Sequence, residues 1–115
     1  MILQHRSHND IDVVQLSGRF AMADCGEINL SIQDLINQGH GKLLIDMEKV
    51  TFIDSSGCAV LVAAYKSLQL KAGRLVLVTS PSVQSLIELT RLHTIFEILP
   101  SQSAALEVLE ALAAN

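Results

Sequence analysis

The stretch Leu43-Leu44-Ile45-Asp46-Met47-Glu48-Lys49-Val50-Thr51-Phe52-Ile53-Asp54-Ser55-Ser56-Gly57-Cys58-Ala59-Val60-Leu61-Val62-Ala63-Ala64-Tyr65 decides how this chain folds. Leu43-Leu44-Ile45 is an unbroken apolar run, so residues 42–47 read as a central strand covered on both faces. Val50–Ile53 is a second short apolar piece. Asp54-Ser55-Ser56-Gly57 then changes the chemistry, because Asp and Ser are the side chains that cap helix N-termini. Every residue from Cys58 to Tyr65 is apolar, and the helix that starts here is expected to reach Ala72 with Gly73 as its C′ residue.

Outward from that core, Met1–Ser7 reads as a short strand and His8–Asp10 as a turn. Ile11–Ser17 reads as a partly buried strand that Gly18 ends, with Arg19–Ala23 as a loop. Asp24 with Glu27 resembles a capping box, and Ile28, Ile32, Leu35 and Ile36 recur at helical spacing up to Gln38. Gly39-His40-Gly41 stops that helix. Toward the C-terminus, Leu75–Val78 is another buried-type strand. Ser80-Pro81 is an N-cap followed by Pro at the first helical position, and the helix covers Val83, Leu86, Ile87 and Leu89 to about Leu92. Phe96–Leu99 is a last strand. Pro100 and Ser101 open a final helix with Ala105, Leu106, Leu109 and Leu112 on its apolar face. The alternation predicts an α/β fold: one domain, residues 1–115, with a mixed, mostly parallel sheet of four to five strands and about four helices.

Composition narrows the function. Of 115 residues, 50% are hydrophobic but only 3% aromatic, so the core is built from Leu, Ile, Val and Ala. A formal charge of −4 and scattered basic residues give no attraction for nucleic acid or an anionic membrane. Cys25 and Cys58 lie far apart with no metal spacing, and read as buried thiols of a reducing compartment. His5, His8, His40 and His93 are scattered and form no metal set. Residues 1–10 carry no apolar signal core, and Cys58–Tyr65 is far short of the ~20 residues that span a bilayer. A cytoplasmic protein without metal or cofactor is expected.

The helix after Asp54 carries the functional signal. At about 100° per residue, Cys58, Leu61, Ala64, Tyr65, Leu68 and Ala72 fall on the sheet side. Ala59, Val62, Ala63, Lys66 and Leu70 fall opposite. A helix covering one face of a sheet needs an apolar stripe only somewhat wider than about 100°, so this second, small and weakly charged face reads as a docking surface. The competing reading is a helix buried on both sides, which requires Ala59 and Val62 to be inaccessible. Ser55 projects from the end of the outward face. A phosphate there meets a helix N-terminus with free N–H groups and a positive dipole end, and adds about −1.5 to −2 of charge beside an apolar surface.

These residues resemble STAS-domain proteins, specifically the bacterial anti-sigma-factor antagonists. Leu43-Leu44-Ile45-Asp46-Met47 and Val50-Thr51-Phe52-Ile53-Asp54-Ser55-Ser56-Gly57 are similar to the family's signature strand and phosphorylation loop. Gly73-Arg74-Leu75-Val76-Leu77-Val78, Ser80-Pro81-Ser82-Val83 and Leu92 with Ile95-Phe96 match its later elements. The resemblance implies a partner switch and no enzyme. The unphosphorylated protein would bind a kinase-type anti-sigma factor and free a sigma factor. The kinase would phosphorylate Ser55, with Ser56 as minor acceptor, and a PP2C-type phosphatase would reverse it. Asp54 and Gly57 would shape the loop, with Ser56, Ala59, Val62, Ala63 and Lys66 contacting the partner. ATP and Mg²⁺ would belong to the kinase.

Two positions depart from the family pattern. Gly18-Arg19-Phe20-Ala21 stands where Gly-x-Leu-Asp is usual, and Cys58-Ala59 follows Gly57 where Leu-Gly is usual. Two other readings compete. A phospho-aspartate receiver would use Asp46 and Asp54 together. A constitutive accessory subunit, as of a lipid-transport ATPase, would use the outward helix face without phosphorylation.

Overall fold

The computed structural model describes the backbone of residues 1–113 and the side-chain environments of residues 1–111. The elements run β1 (Ile2–His8), β2 (Ile11–Phe20), α1 (Met22–Gln38), β3 (Lys42–Ile53), α2 (Ser55–Leu70), β4 (Arg74–Val78) and α3 (Pro81–Leu89). A 3-10 turn (Leu92–Thr94), β5 (Glu97–Leu99) and α4 (Gln102–Ala113) follow. The five strands lie in sequence order in one sheet. β1 is antiparallel to β2, and every later neighbour is parallel. This is the α/β sheet with four helices that the alternation predicts.

Side-chain alternation divides the core between the two sheet faces. Val14, Leu16 and Phe20 of β2, Ile45 and Met47 of β3, and Leu75 and Leu77 of β4 meet Ile28, Ile32 and Ile36 of α1, Leu61, Ala64 and Leu68 of α2, and Val83 and Ile87 of α3. Ile11, Val13, Leu44, Val76 and Val78 meet Ala105 and Leu109 of α4 on the other face. Because β2, β3 and β4 are parallel, the N-termini of α1, α2 and α3 gather at the edge where those strands end. The side chain of Leu112, expected on the apolar face of α4, lies outside the described residues.

Several expected boundaries move, each for a physical reason. β2 does not end at Gly18: Gly18 takes φ +99° inside the strand, beside a shift in its register with β3, and pairing continues to Phe20. β3 is one strand of twelve residues, because Glu48 and Lys49, which break the apolar run, lie on its exposed stretch. α1 starts at Met22 rather than after an Asp24 cap. α2 stops at Leu70, and Ala72, not Gly73, takes the left-handed conformation with φ 54°. Gly73 is small for another reason: a Cβ there would lie 2.5 Å from the Gly41 carbonyl oxygen. α3 ends at Leu89, and Leu92 belongs to the 3-10 turn.

Candidate functional site

The junction between β3 and α2 is organised by one carboxylate. Asp54 leaves the strand in an extended conformation and caps α2. Its Oδ1 accepts from the backbone N–H groups of Ser56 at 2.9 Å and Gly57 at 3.2 Å. Its Oδ2 accepts from the N–H of Met22, the first residue of α1, at 3.3 Å. Asp54 thereby joins the first turns of two neighbouring helices. The cap residue of α1 is Ala21, which brings no side-chain acceptor of its own. The departure from the usual Asp at position 21 therefore falls on the α1 cap.

Ser55 is the first residue of α2, one position beyond the cap. It is exposed, and among the described residues its hydroxyl makes no hydrogen bond. Ser56 is half-buried. Gly57 is buried, and a Cβ there would lie 2.7 Å from Ile53 Cγ1 and 2.9 Å from the Phe20 carbonyl oxygen. Each letter of Asp-Ser-Ser-Gly thus has a local cause: an acceptor for the helix end, a free hydroxyl, a second serine at the rim, and a residue without a side chain where strand and helix touch. One sequence expectation is corrected. The α2 N–H groups of Ser56 and Gly57, expected to be free for a phosphate, are already taken by Asp54.

The outward face of α2 has an exposed centre and half-buried flanks. Ser55, Ala59, Val62, Ala63 and Lys66 fall within an arc of about 100° by helix geometry. Ala59 and Lys66 are exposed, while Val62 and Ala63 are half-buried. Val62 packs at the margin of the core. Ala63 and Ala59 border a shallow groove of about 280 Å³ against Cys25, Gly26 and Asn29 of α1. Burial of the helix on both sides required an inaccessible Ala59, and Ala59 is exposed. On the inner face, Cys58, Leu61, Ala64 and Leu68 are buried as expected, and so is Val60. Tyr65 is half-buried, its ring edge-on to Phe96. Ala72, expected on the sheet side, lies past the helix end and is exposed.

The sequence reading missed three neighbours of this junction. Met22 is 75% exposed at the start of α1. Phe52, at the end of β3, is exposed and carries the Arg19 guanidinium over its ring at 4.3 Å. Arg19 and Phe52 are partners in the β2–β3 register, which the two local sequences do not reveal separately. The one available signal was an aromatic residue on a strand end immediately before a polar loop.

Asp46 and Asp54 do not form a cluster. Asp46 is buried, accepting from the Glu48 N–H and from Gln102 Nε2 of α4 at 2.9 Å each, whereas Asp54 joins α1 to α2. The receiver reading, which needs both at one site, is thereby overturned. His5 faces Asp12 and His8 faces Glu110. Cys25 and Cys58 are both buried thiols. Burial first, and then the Asp54 carboxylate, push both above the ordinary cysteine range. A larger hollow of about 600 Å³ lies over β1 and β2, bordered by Arg6 and Gln102 of α4, away from the Ser55 junction. Among the described residues no helix is long and apolar enough to cross a membrane.

Comparison with known proteins agrees with this geometry. The profile described as STAS domain matches residues 3–105. An anti-sigma F factor antagonist of Paenibacillus polymyxa is 24% identical over 110 residues, 94% of each chain. A crystal structure of an anti-sigma factor antagonist from Mycobacterium paratuberculosis is 26% identical and superposes with a TM-score of 0.88, over 95% of this chain and 93% of that one. The Bacillus cell fate determinant SpoIIAA in its phosphorylated form is 22% identical, with a TM-score of 0.74 over 93% of this chain and 99% of that one, a likeness of fold.

Proposed function

This chain belongs to the STAS-domain family, and we propose that it is an anti-sigma factor antagonist whose partner binding is switched off by phosphorylation of Ser55. Relatives under that description support the reading. The observation that carries it is the exposed Ser55 hydroxyl, without a hydrogen bond among the described residues, at the end of a face whose centre, Ala59 and Lys66, is exposed. In the unphosphorylated state that face, with Ser56, Ala59, Val62, Ala63 and Lys66, docks on a kinase-type anti-sigma factor and so frees a sigma factor. ATP and Mg²⁺ are the kinase's.

Phosphorylation joins Ser55 Oγ to the γ-phosphorus of the kinase's ATP. The bond from that phosphorus to the β–γ bridging oxygen breaks, ADP leaves, and the hydroxyl proton passes to a base of the kinase. A PP2C-type phosphatase restores the hydroxyl with water and releases inorganic phosphate. The added charge of about −1.5 to −2 must be desolvated or opposed when the partner docks. Loss of affinity by about a hundredfold, or roughly 3 kcal/mol, follows.

Titration against the kinase-type anti-sigma factor tests this. Wild type and Ser55→Ala should bind alike, and Ser55→Asp about a hundredfold more weakly. Mass spectrometry after incubation with kinase and ATP should map phosphate to Ser55, with Ser56 minor. Equal affinity of wild type and Ser55→Asp would overturn the switch.

A further inference from the structure

We infer that Asp54 is a positioning residue through which the phosphorylation state of Ser55 reaches the first turn of α1. The inference rests on Ser55 being the phosphoacceptor. At the position where the family pattern has Asp, Ala21 caps α1 and offers it no side-chain acceptor. The N–H of Met22 is held instead by a carboxylate 32 residues further along the chain. That same carboxylate occupies the N–H groups of Ser56 and Gly57, the donors at the helix end where a phosphate on Ser55 would be drawn.

Two anions then contend for one helix N-terminus. The phosphate carries about −1.5 to −2 and the carboxylate −1, so the helix dipole favours the phosphate, and the two repel each other. As the phosphate takes the Ser56 and Gly57 N–H groups, the carboxylate loses the two bonds that aim it, and the 3.3 Å bond from its other oxygen to Met22 goes with them. The α2 end keeps an anion on its N–H groups throughout. The α1 end, with nothing from Ala21 to replace the lost acceptor, loosens. Met22 is 75% exposed, so the loosened turn lies at the surface beside the acceptor loop, where a docking partner meets it.

The test needs no partner protein. Phosphoserine is installed at position 55 by genetic encoding, and amide shifts and hydrogen exchange are read by NMR. Met22 in the phosphoprotein should exchange about tenfold faster than in the unmodified protein, the scale of one charge-assisted hydrogen bond, while Leu61 inside α2 stays unchanged. Asp54→Asn should speed Met22 exchange before phosphorylation and leave little further change after it. Ala21→Ser, which gives α1 a neutral cap of its own, should suppress the phosphate effect. A Met22 amide whose shift and exchange are the same with and without phosphate overturns the inference. An Asp54 that merely holds the fold would produce that result, because its removal would matter and the phosphate would not. Anti-sigma binding is measured on the same samples. Lost binding with an unmoved Met22 refutes the coupling and spares the switch. Retained binding by the phosphoprotein refutes the switch, while Met22 still decides the coupling.

Discussion

Ser55 and Ser80 occupy equivalent places and do opposite things. Each follows a parallel strand and stands where a helix begins on the same face of the sheet, at the same edge. Ser80 is the cap itself. Its hydroxyl accepts from the Val83 N–H at 3.3 Å and donates to the Val50 carbonyl at 2.7 Å, and the residue is 6% exposed. β3 outruns β4 past the last pairing of Asp46 with Val78, so the buried Val50 carbonyl has no strand neighbour on that side and takes the serine instead. Ser55 stands one residue beyond its cap, because Asp54 has taken that role, and its hydroxyl is left in solvent. A serine's availability for chemistry here depends on whether its predecessor already satisfies the helix end.

The comparison breaks first at Ser80. Replacing it with Ala removes the α3 cap and strands the Val50 carbonyl in the core, so urea unfolding should show a loss of about 2–3 kcal/mol. Partner affinity of the folded fraction should not change. A loss below about 0.5 kcal/mol, the range of surface substitutions, would mean that water replaces the hydroxyl and that the two junctions are alike.

Asp54 comes next. Asp54→Ala removes an acceptor from three N–H groups on two helices. The site is only half-buried, so water takes up part of the loss, and about 1–2 kcal/mol is expected in the same measurement. Hydrogen exchange should accelerate in the first turns of both α1 and α2. Acceleration in α2 alone would mean that the long bond to Met22 contributes nothing, and the junction would reduce to an ordinary cap like that of Ser80.

Much of this was legible before any coordinates. Apolar runs at Leu43-Leu44-Ile45 and Leu75–Val78, separated by a helical pattern, are local signals, and they gave the parallel sheet and its helices. The Ser80 cap was equally readable, since residue and helix are adjacent in sequence. The α1 start was not. Ala21 is a poor cap, and the acidic residues at 24 and 27 drew the boundary inward. The acceptor that makes an earlier start tolerable comes from Asp54, on another strand end. The Ala59 face was visible from helical periodicity alone. That Ala63 leans toward α1 while Val62 leans toward the core depends on which helix packs alongside, which one helix's sequence does not encode. Met22 and Phe52 escaped for the same reason: each looks like an ordinary apolar residue until the fold leaves it at the surface.

The smallest expected effect on stability is at Ser55, and it sharpens the contrast most. Ser55→Ala removes an exposed hydroxyl that makes no hydrogen bond among the described residues, and Ala is the better residue within a helix. Unfolding free energy should therefore stay within about 0.5 kcal/mol of wild type, on either side of it. The same substitution should abolish most phosphate uptake from the kinase, since Ser56 is half-buried and poorly presented. Substituting the two serines identically then gives opposite phenotypes: a destabilised protein that still signals at 80, and a stable protein that cannot be switched at 55. A Ser55→Ala protein destabilised as much as Ser80→Ala would mean that the hydroxyl is engaged in holding the helix end. A group so engaged is not free to attack a phosphoryl donor, and the distinction between the two junctions would be lost.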